Sequence, residues 1–334
     1  MNIADYKGVW IIAEQRDGNL QKVSLEILGK GRELADKLGV DLTALLLGNG
    51  LDDAAKELIA YGADKVIYAE SPLLKHFTTD GYAKVICDLA SDLKPEAILV
   101  GATFIGRDLG PRVAARLSTG LTADCTSLDI DPENNNLLMT RPAFGGNLMA
   151  TIVCGDHRPQ MSTVRPGVFE KLAKDLGRKG EVQKVKANVN EGDIRVKVLE
   201  VVKACKECLD IGEAKIIVAG GRGIGNKEGF KLLEELATVL DGTVAGSRAA
   251  IDNGWLDKAR QVGQTGKTVR PLLYIACGIS GAIQHLAGMQ ESDYIIAINK
   301  DADASIMKVA DLALVGDYRK VIPELLASIR EIKK

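Results

Sequence analysis

The chain has 334 residues, 46% of them hydrophobic, which suffices for about two domains with buried cores. With 43 basic and 45 acidic side chains the net charge is −2, giving no electrostatic reason to expect nucleic acid or an anionic membrane as partner. Apolar runs such as 272–277 fall far short of the ~20 residues that span a bilayer, and MNIADYKGVW lacks a signal-peptide pattern; a cytoplasmic protein without an integral membrane segment is expected.

In chain order, the first part alternates short apolar runs with amphipathic ones. GVWIIAE (Gly8–Glu14), LTALLLG (Leu42–Gly48), KVIYAE (Lys65–Glu70) and AILVGA (Ala97–Ala102) read as strands. SLEILGKGRELADKLG, DDAAKELIAYGA, TTDGYAKVICDLASDL and RDLGPRVAARLS (Arg107–Ser118) read as helices, so βαβ units and a buried parallel sheet are expected. From Leu137 to Val164 the pattern alternates without a helix, and Gly145-Gly146-Asn147 suits a hairpin connection. Two or three antiparallel strands added to the first sheet are therefore predicted. Residues 170–193 are polar and charged, which places a boundary near Glu191–Asp193, with IRVKVLEVVK resuming order after it. The expected division is a scaffold and subunit-interface domain over 1–192, a connecting segment over 193–209 and a second domain over 210–334.

Six cysteines, at 87, 125, 154, 205, 208 and 277, are scattered as in proteins of a reducing compartment. Cys205 and Cys208 form an isolated CxxC with no second pair at zinc-finger spacing, so neither a redox nor a metal role is assigned.

The second part returns to strand–helix units and sets special residues at the strand ends. Gly220-Gly221-Arg222-Gly223 follows KIIVA, Ser247-Arg248 follows TVAG, and Gly278-Ile279-Ser280-Gly281 follows LLYIAC. Asn299 ends YIIAIN, and Gly316-Asp317 follows LALV. In a parallel α/β sheet ligands bind at the carboxyl ends of the strands. Glycine lets backbone approach a phosphate, and a helix N-terminus offers free N–H groups to an anion. Ser280 reads as a helix N-cap and a phosphate ligand. Asn299 and Asp317 suit ribose hydroxyls or an adenine edge, and Arg222 and Arg248 suit ring stacking or charge neutralisation. Any one such turn is ordinarily structural; five together favour a nucleotide-type cofactor. A lone helix histidine is ordinarily a surface or satisfied core group, but His285 lies in the first turns after the Gly-Ile-Ser-Gly loop. His76 and His157 read as loop and turn residues.

At these residues the chain resembles the alpha subunits of electron transfer flavoproteins. LYIACGISGAIQHLAGMQESDYIIAINKD (Leu273–Asp301) carries the family signature without departure, and GGRGIG, GSRAAIDNGW, RQVGQTGK, LVGDY, RPAFGGN and STVRPG match in order. The resemblance implies an α/β fold with two domains, each a mainly parallel sheet flanked by helices. The first carries added antiparallel strands, and the second is a Rossmann-like FAD-binding domain. It implies FAD contacts at Arg222, Ser247, Arg248, the turn Val262-Gly263-Gln264-Thr265, the run Ser280, Gly281, Ala282, Ile283, Gln284 and His285, and at Asn299 and Asp317. It implies a heterodimer with a beta subunit that carries a second FAD or AMP, and redox partners of the acyl-CoA dehydrogenase type. One electron added to a flavin without a proton leaves negative charge on the ring. A histidine donor, a helix N-terminus and a fixed arginine each stabilise that charge, so Arg248 and His285 are expected to tune the potential.

GRDLGPRVAARLSTGLTADCTSLDID (Gly106–Asp131) resembles the prokaryotic branch that contains electron-bifurcating members, which oxidise NADH together with the beta subunit. The alternatives are a conventional electron transfer flavoprotein, carrying electrons from acyl-CoA dehydrogenase to a quinone reductase, and a non-redox nucleotide-binding regulator. The sequence offers no nucleophile–base set or hydride-transfer fingerprint for a hydrolase or dehydrogenase with its own substrate pocket.

Overall fold

Runs of aliphatic residues cut short by glycine or polar residues build two separate parallel sheets. The structure is a computed structural model and describes residues 2–143, 148–202 and 211–332. The chain divides into two compact units, Met1–Val201 and Val202–Lys334.

In the first unit β1 (Val9–Ala13) passes through the short pair β2 (Gln15–Arg16) and β3 (Asn19–Leu20) into α1 (Lys22–Leu38). Then come β4 (Leu42–Gly48), α2 (Asp52–Ala60), β5 (Lys65–Glu70), α3 (Thr79–Leu93), β6 (Ala97–Gly101) and α4 (Phe104–Arg116). The remaining strands are β7 (Leu121–Cys125), β8 (Ser127–Ile130), β9 (Leu137–Ala143), β10 (Leu148–Ile152), β11 (Gln160–Val164) and β12 (Glu181–Lys186). Seven strands pair in the order β12-β5-β4-β1-β6-β11-β7, all parallel. Successive strand residues face opposite ways, so one apolar run serves two cores. Val9, Ile11, Leu42 and Leu46 pack with Ile27 and Leu28 of α1 and Leu58 of α2. Trp10, Ile12, Leu45 and Leu47 pack with Tyr82 and Ile86 of α3 and Leu109 and Val113 of α4.

Four readings from sequence change here. The antiparallel strands do not extend the parallel sheet: they form a sheet of their own, in the order β10-β9-β8. The hairpin connection at Gly145-Gly146-Asn147 lies outside the described residues, as does the Cys205–Cys208 pair. β11, within the stretch read as antiparallel, instead enters the parallel sheet between β6 and β7, where all five of its residues are buried. Two of its polar side chains are satisfied internally: Gln160 donates to Glu96 and accepts from the Leu137 N–H, and Thr163 accepts from the Asp124 N–H, while the Ser162 hydroxyl has no partner among the described residues. In the polar stretch 170–193, β12 forms an edge strand whose charges stay wet, the ordinary protection of a sheet edge. IRVKVLEVVK takes neither helix nor strand in residues 194–202.

The strand order of the first sheet reverses between β1 and β6, where an α/β sheet ordinarily opens a ligand crevice. Here Glu14, 9% exposed, occupies the place. Its carboxylate accepts from the Thr103 hydroxyl at 2.5 Å and from Arg16 at 2.8 Å. The cavity beside it measures about 20 Å³, too small for a nucleotide.

Asp80 on α3 anchors the chain just before residues 196–202. It accepts from Arg195 Nε at 2.9 Å and Nη2 at 2.8 Å and from Arg112 at 2.6 Å. These arginines, hydrogen bonds from Arg195 foremost, hold its carboxyl at about 2. Asp80 is 6% exposed, but the Arg195 side chain is 72% exposed, so water screens the pair. A depressed carboxylate pKa stabilises the fold above the unfolded value of ~3.9 and ceases to as pH falls through about 2. Asp80→Asn should cost on the order of 1–2 kcal/mol at pH 7. The gap from wild type should close by about pH 2, which urea unfolding at several pH values measures.

In the second unit the order is β13 (Ile216–Gly220), α5 (Phe230–Val239), β14 (Thr243–Gly246), α6 (Arg248–Asp252), β15 (Leu273–Cys277), α7 (Ile283–Leu286), β16 (Ile295–Asn299), α8 (Ser305–Val309), β17 (Leu312–Val315) and α9 (Tyr318–Ile332). The sheet runs β14-β13-β15-β16-β17, again all parallel. One face is covered by α5 and α9 through Phe230, Leu233, Leu236, Ile322 and Leu326. The other is covered by loops and short helices through Val262, Ile279, Met289 and Ile306.

Candidate cofactor site

Because all five strands of the second unit run the same way, their carboxyl ends share one edge. The strand order reverses between β13 and β15, and the turns after these two strands lie against each other. The Gly221 N–H donates to the Cys277 carbonyl at 2.9 Å, and the Gly223 N–H to the Gly278 carbonyl at 3.0 Å. A Cβ on Gly223 would come 2.8 Å from Gly278 Cα, and Gly278 itself takes φ +58°. These glycines are thus required for the turns to pack, whatever ligand they face.

The cleft above this edge measures about 670 Å³, within the ~300–1,000 Å³ of small-molecule sites. Of the residues expected in the site, Arg222, Ser247, Arg248, Val262, Gly263, Gln264, Thr265, Ser280, Ala282, Gln284, His285 and Asn299 line it. Gly281, Ile283 and Asp317 do not. Asp317 instead turns to the start of α9, where its carboxylate accepts from the Arg319 N–H at 3.0 Å and pairs with Lys300 at 3.0 Å. Those two contacts, the N–H first, lower its pKa. Asn299 lines the cleft but is committed within the chain: it donates to the Ile279 carbonyl at 2.8 Å and accepts from the Asp301 N–H at 3.1 Å.

Ser280 is not a helix N-cap. The helix after the Gly-Ile-Ser-Gly turn is only the four residues of α7, and Ala282 precedes it. The Ser280 carbonyl accepts from the Ile306 N–H, which binds the turn to α8. The side chains of Ser247, Ser280 and Gln284 bond to no described residue and stand in the cleft wall. The turn 262–265 is tied down by the Gln264 N–H, which donates to the Gln284 carbonyl at 2.7 Å. Gln261, 5% exposed, braces it by donating to the Thr265 hydroxyl at 3.0 Å. Gln261, Asp252 and Asp301 also line the cleft, and sequence reasoning missed them.

Arg248 opens α6 with its side chain 71% exposed, paired to Asp252 at 3.3 Å. His285 is its opposite, 6% exposed. Its Nε2 lies 3.0 Å from the hydroxyl of Tyr274 on β15, and its buried Nδ1 has no hydrogen-bond partner. Burial pushes the imidazole down to about 4, and the Val262 carbonyl, which favours the charged form, offsets only part of that. His76 and His157 lie in exposed bends.

Residues 9–190 match the Electron transfer flavoprotein domain family, and residues 210–290 match the Electron transfer flavoprotein FAD-binding domain family. The electron transfer flavoprotein subunit alpha of Clostridium acetobutylicum is 69% identical over 99% of both chains. The chain belongs to the electron transfer flavoprotein alpha-subunit family. An acryloyl-CoA reductase electron transfer subunit beta from Anaerotignum propionicum is 49% identical, covering 99% of this chain and 98% of that one. The LctC subunit of lactate dehydrogenase (NAD(+),ferredoxin) from Acetobacterium woodii is 45% identical, covering 97% of this chain and 77% of its own.

As a member of this family the chain binds FAD. The site fits such a cofactor on its own geometry. The buried imidazole of His285, its Nδ1 unpartnered, belongs to the wall of a cleft that is part apolar, through Val262, Ile279 and Ala304, and part lined by unbonded hydroxyl and amide groups. Among the described residues no helix of this alpha-family chain is long and apolar enough to cross a membrane.

The neutrality of His285 has a measurable consequence. Its folded pKa, about 4, lies below the ordinary 6.5, so between those values the unfolded chain binds the extra proton. Stability of the second unit should fall as pH drops below 6.5 and level off below about 4. The loss should be on the order of 3 kcal/mol. Hydrogen exchange of the β15 amides against pH, with His285→Gln expected to lose this slope, measures it.

Proposed function

We propose that this alpha subunit is the electron-carrying half of a heterodimer with a beta subunit, its FAD passing single electrons between redox partners in a flavin-based bifurcating complex that oxidises NADH. The observation that carries the electron-carrier reading is His285, a buried neutral imidazole with one nitrogen unspent in the cleft wall. When bound, FAD supplies the redox chemistry. The chain holds and orients it: the hydroxyls of Ser247 and Ser280 and the Gln284 amide are unbonded groups for polar parts of the cofactor. Arg222 and Arg248 bring positive charge to the cleft, and the braced turn 262–265 helps exclude water. Stabilising added negative charge in a poorly hydrated site is the work these groups suit. Four free cysteines among the described residues agree with a cytoplasmic setting.

Two observations support bifurcation: the Gly106–Asp131 segment, and the relative whose name couples NAD(+) with ferredoxin. A conventional carrier between acyl-CoA dehydrogenase and a quinone reductase is the second reading, supported by relatives named only as electron transfer flavoprotein subunit alpha. A nucleotide-binding regulator is disfavoured by the Glu14 carboxylate, which would repel phosphates at the crevice of the first sheet.

Flavin and adenylate content of the purified heterodimer separates these readings. A second FAD, held by the beta subunit, is the expected result; a single FAD accompanied by AMP removes bifurcation. Arg248→Ala and His285→Ala should each lower the first reduction potential of the bound FAD by about 60 mV, tenfold for one electron. Potentiometry that finds both variants unchanged would remove the tuning role.

A further inference from the structure

Tyr274 is the one polar aromatic in a strand that otherwise carries Leu273, Ile275, Ala276 and Cys277. It is 0% exposed. A buried tyrosine needs a partner for its hydroxyl, and the partner here is His285 Nε2, at 3.0 Å. Among the described residues that hydroxyl has no other hydrogen-bond partner. A phenol carries one hydrogen, and this one has a single acceptor within reach. If Nε2 carried a proton, it would donate to the tyrosine oxygen and leave the hydroxyl hydrogen buried without an acceptor. If Nε2 is bare, the hydroxyl donates to it and both groups are satisfied.

We infer that Tyr274 fixes His285 as the Nδ1–H tautomer, so that this ring of the cleft wall is a neutral imidazole with its proton on the nitrogen away from Tyr274. The Val262 backbone group favours the protonated ring, as an acceptor carbonyl does, and so supplies no proton that would require a bare ring nitrogen. In ordinary hydrogen-bond geometry that Nδ1 is left over. Tyr274 is therefore a positioning residue. It acts through His285 and sets which ring nitrogen holds the proton, much as a partner on one ring nitrogen sets the state of the other.

The tautomer belongs to the chain alone; only its consequence for the potential rests on the redox-tuning role proposed above. The test uses the purified heterodimer with 15N-histidine in the alpha chain, with FAD removed and with FAD bound. His285→Gln identifies the His285 signals among the three histidines. In the wild type without FAD, long-range 1H–15N spectra at pH 7 should show a protonated Nδ1 and a bare Nε2. A protonated Nε2 there overturns the inference, and needs no variant. Tyr274→Phe keeps the ring and removes the hydroxyl, and should shift the tautomer ratio toward Nε2–H by about tenfold or more. An unchanged ratio in a folded Tyr274→Phe heterodimer overturns it as well. If the ratio shifts while the first reduction potential of the FAD-loaded variant stays that of the wild type, the tautomer assignment stands and the tuning role fails.

Discussion

The contact between the turns after β13 and β15 is what the second unit is built around. Two backbone hydrogen bonds continue the pairing of these strands past the end of the sheet, from the Gly221 and Gly223 N–H groups to the Cys277 and Gly278 carbonyls. No side chain fits between them, so three glycines in two turns are a steric demand of the protein itself. With the second turn pinned, the chain from Ile279 onward must leave the sheet edge and return. It comes back as α7, whose His285 lies over Tyr274 of the strand just left. The loop 262–265 then docks on α7 through the Gln264 N–H and closes the wall. Removing the turn contact would free the element that carries the histidine, so cleft shape and His285 orientation are one property.

The legible part of the fold is the part where burial and apolarity coincide. LTALLLG and KVIYAE are strands at the bounds read from sequence because both faces of the sheet are covered and nearly every side chain must be apolar. β11 breaks that link. It is as buried as its neighbours, yet Gln160, Ser162 and Thr163 make it look like a surface strand. Two of these side chains spend their polarity on partners from distant stretches, Glu96, Leu137 and Asp124, which no local window can see. β12 fails in the opposite way, since an edge strand may be charged throughout and then resembles a linker. The separate antiparallel sheet was out of reach because alternation reports a half-buried strand and not which sheet it joins.

The candidate site was more legible than the fold, for a topological reason. Parallel strands bring their carboxyl ends together wherever the strands are correctly found, so Arg222, Ser247, Ser280 and Asn299 could be assembled without knowing any contact. What that argument lacks is direction. It places Asp317 at the same edge but cannot show that its carboxylate turns to the first N–H groups of α9 and to Lys300. It offers Ser280 as a cap because it cannot see that the helix begins later, at Ile283. Gln261 and Tyr274 were missed because the side chain of each is spent on a neighbour, Thr265 and His285. The available signal for Tyr274 was a lone hydroxyl in an apolar strand that has to be satisfied somewhere.

The site separates charge from burial. Arg248 is 71% exposed in its side chain and already paired with Asp252, so water and a carboxylate both screen it. Its pull on a bound group is correspondingly modest and salt-dependent. His285 is enclosed, where an interaction is worth more, but enclosure is also what keeps it uncharged. A buried imidazolium would carry a desolvation penalty that its surroundings offset only in part: Tyr274 is held neutral, its pKa raised by burial, and the Val262 carbonyl favours the charged form less than burial opposes it. The deep part of the cleft therefore acts through an oriented neutral dipole, and orientation depends on which ring nitrogen holds the proton. A solvated cation at the mouth tolerates small displacements because Coulomb attraction changes slowly with distance. A neutral donor does not, since a hydrogen bond weakens steeply with angle. Precision is thus needed most where the structure invests it: in the glycine turns, the docked loop and the tyrosine behind the ring.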